Sequence, residues 1–191
     1  DVLLEMIGAA ATTNSFNELA KSDVIIVSSV DLGKRLPTIA GLVIRAKLDG
    51  AKLIVTGTRS HRVVKNADIF LQTKPGTDAL LYCAMAKVIV DHGLMNMPFI
   101  KKYCRDYDSF IKAILKYDLL EAAEICGVRA DLIEEAALAY ARAGSASILY
   151  STGLEYGITD AIEAIVNLCL LTGQIGKEGA GIYALTEQNN L

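Results

Sequence analysis

The stretch DVIIVSSV, residues 23–30, constrains the fold more than any other. It is an apolar, largely β-branched run without polar alternation, so both of its faces must be buried. That is the pattern of a central strand in a parallel sheet. Parallel neighbours need a crossover between them, and the next residues supply one. LPTIAGLVIRAKLDG (36–50) reads as a helix, with Pro37 suited to its first turn and Gly50 to the residue after its last. AKLIVTG (51–57) is then a second buried strand. SHRVVKNA is read as a helical turn, and DIFLQT (68–73) as a third, shorter strand.

The same alternation continues. DALLYCAMAKVIVDH (78–92) carries apolar residues at 80, 81, 84, 85, 88 and 89, which is helical spacing. A helical middle follows in MPFIKKYCRDY, DSFIKAILKYD, LLEAAEICG and RADLIEEAALAYARAG. SASILYSTG (145–153) is a fourth buried strand, and TDAIEAIVNLCLLTG (159–173) is the helix after it, with Thr159 or Asp160 as N-cap. The tail GKEGAGIYALTEQNN reads as glycine-rich and then polar. The expected class is α/β: a doubly wound, mostly parallel, Rossmann-like sheet with helices on both faces and a helical insert around residues 94–142. With 191 residues, the chain 1–191 is expected to form a single domain.

Composition narrows the functions. Apolar residues make up 52% and charged residues only 21%, which implies apolar surface covered by something beyond this chain. A net charge of −3 argues against an extended nucleic-acid footprint. No apolar run reaches the ~18 residues of a membrane span, so no membrane insertion is expected. Cys83, Cys104, Cys126 and Cys169 are far apart, with no C-x-x-C pair. They read as free thiols in a reducing compartment, and a cytoplasmic location is expected. The start at Asp1 without Met and the abrupt end after QNNL give the expectation of an excised piece of a longer protein.

In open parallel sheets, ligands bind beyond the carboxyl ends of the strands. The first strand end gives Ser28, Ser29 and Asp31, and the second gives Thr56, Gly57, Thr58 and Arg59. The third leads into Pro75, Gly76, Thr77 and Asp78, and the fourth into Ser151, Thr152 and Gly153. Most of these residues are small, polar or glycine, so a ligand can approach the backbone. The amides at the start of the 78–92 helix favour an anion. Asp78 can accept two hydrogen bonds from a guanine-like donor edge or a ribose, and the Arg59 guanidinium suits a pyrophosphate. Together they read as a nucleotide-diphosphate pocket. The plainer alternatives are a helix cap for Thr77 or Asp78, a turn for Gly76 and a surface ion pair for Arg59. His61 and His92 have no partner spacing and read as structural or solvent-facing. The first strand lacks the G-x-G-x-x-G turn, which counts against a nicotinamide dinucleotide.

The order and spacing of GAAATTNSFNELAKSDVIIV, AKLIVTGTRSHRVVKNADIFLQTKPGTDALL, IEEAALAYARA and AIVNLCLLTGQIGKEGAG, followed by EQNN, resemble the molybdopterin oxidoreductase family, most closely formate dehydrogenase catalytic (alpha) subunits. The likeness runs along nearly the whole chain. It implies an oxidoreductase domain, part of an electron-transport system, that holds the GDP arm of a molybdopterin guanine dinucleotide carrying molybdenum or tungsten. On that likeness Ser29, Val30, Asp31, Thr56, Gly57, Arg59, Gly76, Thr77 and Asp78 line the arm, and Thr152, Gly153 and Gln188 match later cofactor contacts. A Cys or selenocysteine metal ligand, its neighbouring His and a four-cysteine iron–sulfur motif are expected upstream of Asp1, so no catalysis is expected from this chain alone. The implied partners are the remaining domains of the same subunit and electron-transfer subunits.

Four features depart from the family pattern. Gly57-Thr58-Arg59 stands where Asp-Pro-Arg is usual, so one carboxylate is absent. STGLEYG is a shorter loop without the usual glutamine, Thr186-Glu187 replaces Arg-Gly before QNN, and SSVDLGKRLP lacks the usual asparagine and His-Pro pair. These departures keep open a second function, a structural module of a related respiratory or hydrogenase-type complex that has lost the pterin. An ordinary NAD-type domain is a third.

Overall fold

The run at 23–30 forms the centre of a sheet. In the computed structural model, which describes residues 2–8, 11–151 and 158–185, β1 (Val24–Ser28) lies between β2 (Lys52–Gly57) and β4 (Ala146–Ser151). β3 (Ile69–Gln72) pairs with β2, and β5 (Gly181–Leu185) pairs with β4. The order is β3-β2-β1-β4-β5, with every pair parallel. Ile26 stands opposite both Ile54 and Ile148, so the middle of the sheet is a continuous band of isoleucine.

Period-two alternation sorts the strand residues between two cores. Ile26, Ile54, Leu71 and Ile148 pack with α4 (Asp78–Asp91), α8 (Ala130–Arg142) and α9 (Ile158–Thr172). Ile25, Val27, Leu53, Val55 and Leu149 face the opposite layer, which includes α2 (Leu32–Arg35) and α3 (Pro37–Leu48). Helices on both faces of a parallel sheet make this the doubly wound α/β fold that the sequence predicts. From β1 the chain steps outward to β2 and β3, then returns to build β4 and β5 on the other side. The topological switch point therefore lies between β1 and β4. The helical insert is present as α5 (Met97–Tyr103), α6 (Tyr107–Ile114), α7 (Leu119–Cys126) and α8. Pro37 does open α3. None of the described helices is long and apolar enough to cross a membrane.

Three sequence readings are corrected. The tail holds a fifth strand, β5, whose GIYAL core follows glycines that mask it. The N-terminal segment covers part of its outer edge: the Thr13 amide donates to Ile182 O at 3.0 Å, and the Ile182 amide donates to Thr13 Oγ1 at 2.9 Å. Thr13 thus satisfies both backbone groups of one residue of that edge. The helix after β4 begins at Ile158, so Thr159 and Asp160 sit in its first turn and not at its cap. The N-terminal region, read without elements, forms α1 (Val2–Ile7) and a 3-10 turn at Phe16–Lys21.

Candidate functional site

Beyond β1 the chain turns sharply. Ser29 takes φ 51°, a left-handed conformation uncommon for a residue with a Cβ. Its amide donates to Thr56 O at 2.9 Å, which pins the turn to the end of β2. Gly57 follows at φ 146°, and a Cβ there would lie 3.4 Å from Ser29 Cα. That backbone region belongs to glycine, so Gly57→Ala is expected to cost about 1–3 kcal/mol and to push the Ser29 turn outward. Urea unfolding measures the first effect, and an unchanged midpoint would refute it.

The third contributor is the start of α4. Lys74–Thr77 forms a turn in which the Thr77 hydroxyl donates to Lys74 O at 2.8 Å, leaving the helix without a side-chain cap. Gly76 has φ 79°, and a Cβ there would meet nothing within 4 Å. Its glycine is therefore set by the turn, and the space above it is open. Asp78 is the first residue of α4 and only 8% exposed. Its Oδ1 accepts a hydrogen bond from Ser29 Oγ at 2.7 Å. Burial pushes the carboxyl above its ordinary range, and the Ser29 hydrogen bond pulls the other way without cancelling it.

Ser29, Thr56, Gly57 and Asp78 are thus brought together at one rim, at the carboxyl ends of β1 and β2. Arg59 lies two residues past Gly57 and is exposed, with no ion-pair partner among the described residues. Val30 is buried, and its side chain belongs to the core with Leu32 and Val63. Asp31 caps α2, accepting from the Lys34 amide at 3.2 Å. Thr152, Gly153 and Gln188 lie outside the described residues.

Two further residues support the rim. Tyr82 is fully buried one helical turn after Asp78, and its hydroxyl lies 3.4 Å from Thr56 Oγ1, which is itself 3.4 Å from Ser28 Oγ. Burial holds the phenol proton far above its usual range. The signal was its i+4 spacing from Asp78, hidden in an apolar helix face. His61, read as structural or solvent-facing, has a side chain 12% exposed, with Nδ1 3.8 Å from Asp31 Oδ1. Among the described residues no cluster of three or more His, Cys, Asp or Glu side chains is placed to hold a metal. All four cysteines are free, and burial raises each thiol, that of Cys169 to about 12.

The comparisons with known proteins converge. The model of the Molybdopterin oxidoreductase family matches residues 5–190. The F420-dependent formate dehydrogenase subunit alpha of Methanocaldococcus jannaschii is 40% identical over 187 residues, spanning 96% of this chain and 28% of that protein. Formate dehydrogenase H of Escherichia coli is 31% identical over 191 residues, spanning 99% of this chain and 27% of that protein. Among solved structures, acetylene hydratase from Pelobacter acetylenicus superposes with a TM-score of 0.81 at 27% identity, over 95% of this chain and 25% of that one. The chain therefore spans little more than a quarter of the length of these relatives.

Proposed function

The chain belongs to the molybdopterin oxidoreductase family, and on that premise we propose that it is one α/β domain of a longer, formate-dehydrogenase-like subunit, in which its strand-end rim holds the GDP arm of a molybdopterin guanine dinucleotide. The observation that carries the reading is the Ser29–Asp78 hydrogen bond, because it joins the end of β1 to the start of α4, whose sequence positions are 49 apart. The donor set fits such a group. Asp78 keeps acceptor capacity for a guanine edge beyond the one hydroxyl it binds. Arg59 is a guanidinium without an ion-pair partner among the described residues, and the first amides of α4 favour a phosphate. The Gly76 turn leaves open space beside them.

In this reading Asp78 anchors the base, Arg59 meets the diphosphate, and Gly57 lets the ligand lie close to the backbone. When bound, the pterin's molybdenum or tungsten supplies the two-electron chemistry of the whole enzyme. The domain contributes remote binding energy and orientation, and it needs the remaining domains and electron-transfer subunits for turnover.

A thermal-shift titration tests this. GDP at 100 times its dissociation constant is expected to stabilise the chain by about 2.7 kcal/mol, a rise of about 5–10 °C for a chain of this size, while NAD leaves the melt unchanged. A melt indifferent to GDP would sink the reading and favour the structural module without a pterin.

A further inference from the structure

Ser29 occupies its turn at a cost. It is one of two non-glycine residues with positive φ among those described, and a glycine would hold that backbone without strain. The conformation sets two bonds at once: the amide on Thr56 O at 2.9 Å and the hydroxyl on Asp78 Oδ1 at 2.7 Å. Gly57 closes the other side, since a Cβ on it would lie 3.7 Å from Ser29 Oγ. The hydroxyl is therefore boxed between two strand ends and aimed at one carboxylate oxygen.

We propose that Ser29 is the positioning residue of this site: it holds the Asp78 carboxylate by one oxygen and so fixes the orientation in which the other meets a guanine donor edge. The inference rests on the nucleotide reading above and adds a regulatory consequence, pH-dependent affinity. Asp78 is buried, and burial favours its protonated form, which is a poor acceptor for guanine donors. The Ser29 hydroxyl opposes that burial by donating to the ionised form.

The Asp78 backbone amide also favours the ionised form, and both Ser29 variants below retain it. Tyr82, on α4 itself, and Cys126, at the end of α7, are both raised by burial and stay protonated at neutral pH. Lys74, in the turn before α4, places its ammonium on Glu124 O at 3.1 Å. The loop after β2 carries Arg59 and His61, and His61 lies beside Asp31.

The test compares the full chain with Ser29→Ala and Ser29→Gly. GDP binding is followed by calorimetry across about pH 4–8, and the Asp78 carboxyl is followed by carbon NMR of the ligand-free chains. In the unaltered chain, affinity falls as pH drops through the Asp78 transition. In both variants that fall, and the carboxyl midpoint, move to higher pH, and binding at pH 7 weakens about tenfold for the loss of one charge-assisted hydrogen bond. Ser29→Gly relieves the backbone strain, so it separates the hydroxyl from folding and should match Ser29→Ala in its pH profile. GDP binding with the same pH profile in all three chains overturns this inference alone. Absence of GDP binding by the unaltered chain overturns the nucleotide reading and the inference with it.

Discussion

Asp78→Asn is expected to weaken GDP binding by about 10- to 100-fold while raising the melting temperature of the ligand-free chain. The first effect follows from charge. Hydrogen bonds to an ionised carboxylate are worth about 1.5–3 kcal/mol, against about 1 for neutral pairs, and an amide presents a donor where the guanine edge needs an acceptor. The second follows from burial. The α4 N-terminus favours an anion by about 0.3–1 kcal/mol, yet the Asp78 carboxyl still lies above its ordinary value of 3.8, so desolvation wins. A carboxyl whose pKa is raised on folding contributes stability that is complete below its unfolded value and lost as pH rises through its folded value. The unaltered chain and the variant should therefore melt alike near pH 3.8 and diverge above it, with the asparagine variant higher. The Ser29 hydroxyl can still donate to the side-chain amide oxygen of the variant, so the substitution leaves the turn intact. A variant that binds GDP as well as the unaltered chain removes Asp78 from the site. A variant that melts lower at pH 7 shows that the helix terminus outweighs burial.

What the sequence discloses follows from how local each constraint is. β1, β2 and β4 are legible because strands buried on both faces leave no room for polar alternation. The rim is legible because a parallel sheet places its loops at the carboxyl ends wherever the strands fall in order. β5 is hidden by its flanking glycines and by an edge partner, Thr13, that lies 169 residues away from Ile182. The Ser29–Asp78 bond is hidden for a similar reason. It spans 49 positions and depends on a left-handed serine, a residue type with no particular preference for that conformation. Tyr82 carries a polar tip, but its helix face is otherwise apolar, so the pattern assigns it to the core. The core does hold its ring, while its hydroxyl reaches the strand ends.

Gln174→Leu is expected to destabilise the chain by about 2–5 kcal/mol and to leave GDP affinity per folded molecule unchanged. Gln174 follows α9 and is only 1% exposed. Its Oε1 accepts from the Ala146 amide at 3.0 Å, and its Nε2 donates to Ala143 O at 2.9 Å. One amide side chain thus satisfies both ends of the connection between α8 and β4. Leucine fills a similar volume but supplies neither bond. A buried backbone group left unpaired costs about 1–3 kcal/mol; the Ala146 amide is buried and the Ala143 carbonyl partly so. Against a total stability of about 5–15 kcal/mol that is a large share, and it lowers the melting temperature by roughly 5–15 °C in a chain of this size. The separation of effects comes from topology. Ala146 is the first residue of β4, paired with Val24 at the amino end of the sheet, whereas the GDP rim lies at the carboxyl end. Denaturant unfolding and GDP titration on the same preparation decide the matter. A stability within about 0.5 kcal/mol of the unaltered chain, the range of an ordinary surface substitution, would show that water replaces the lost side chain at those two groups.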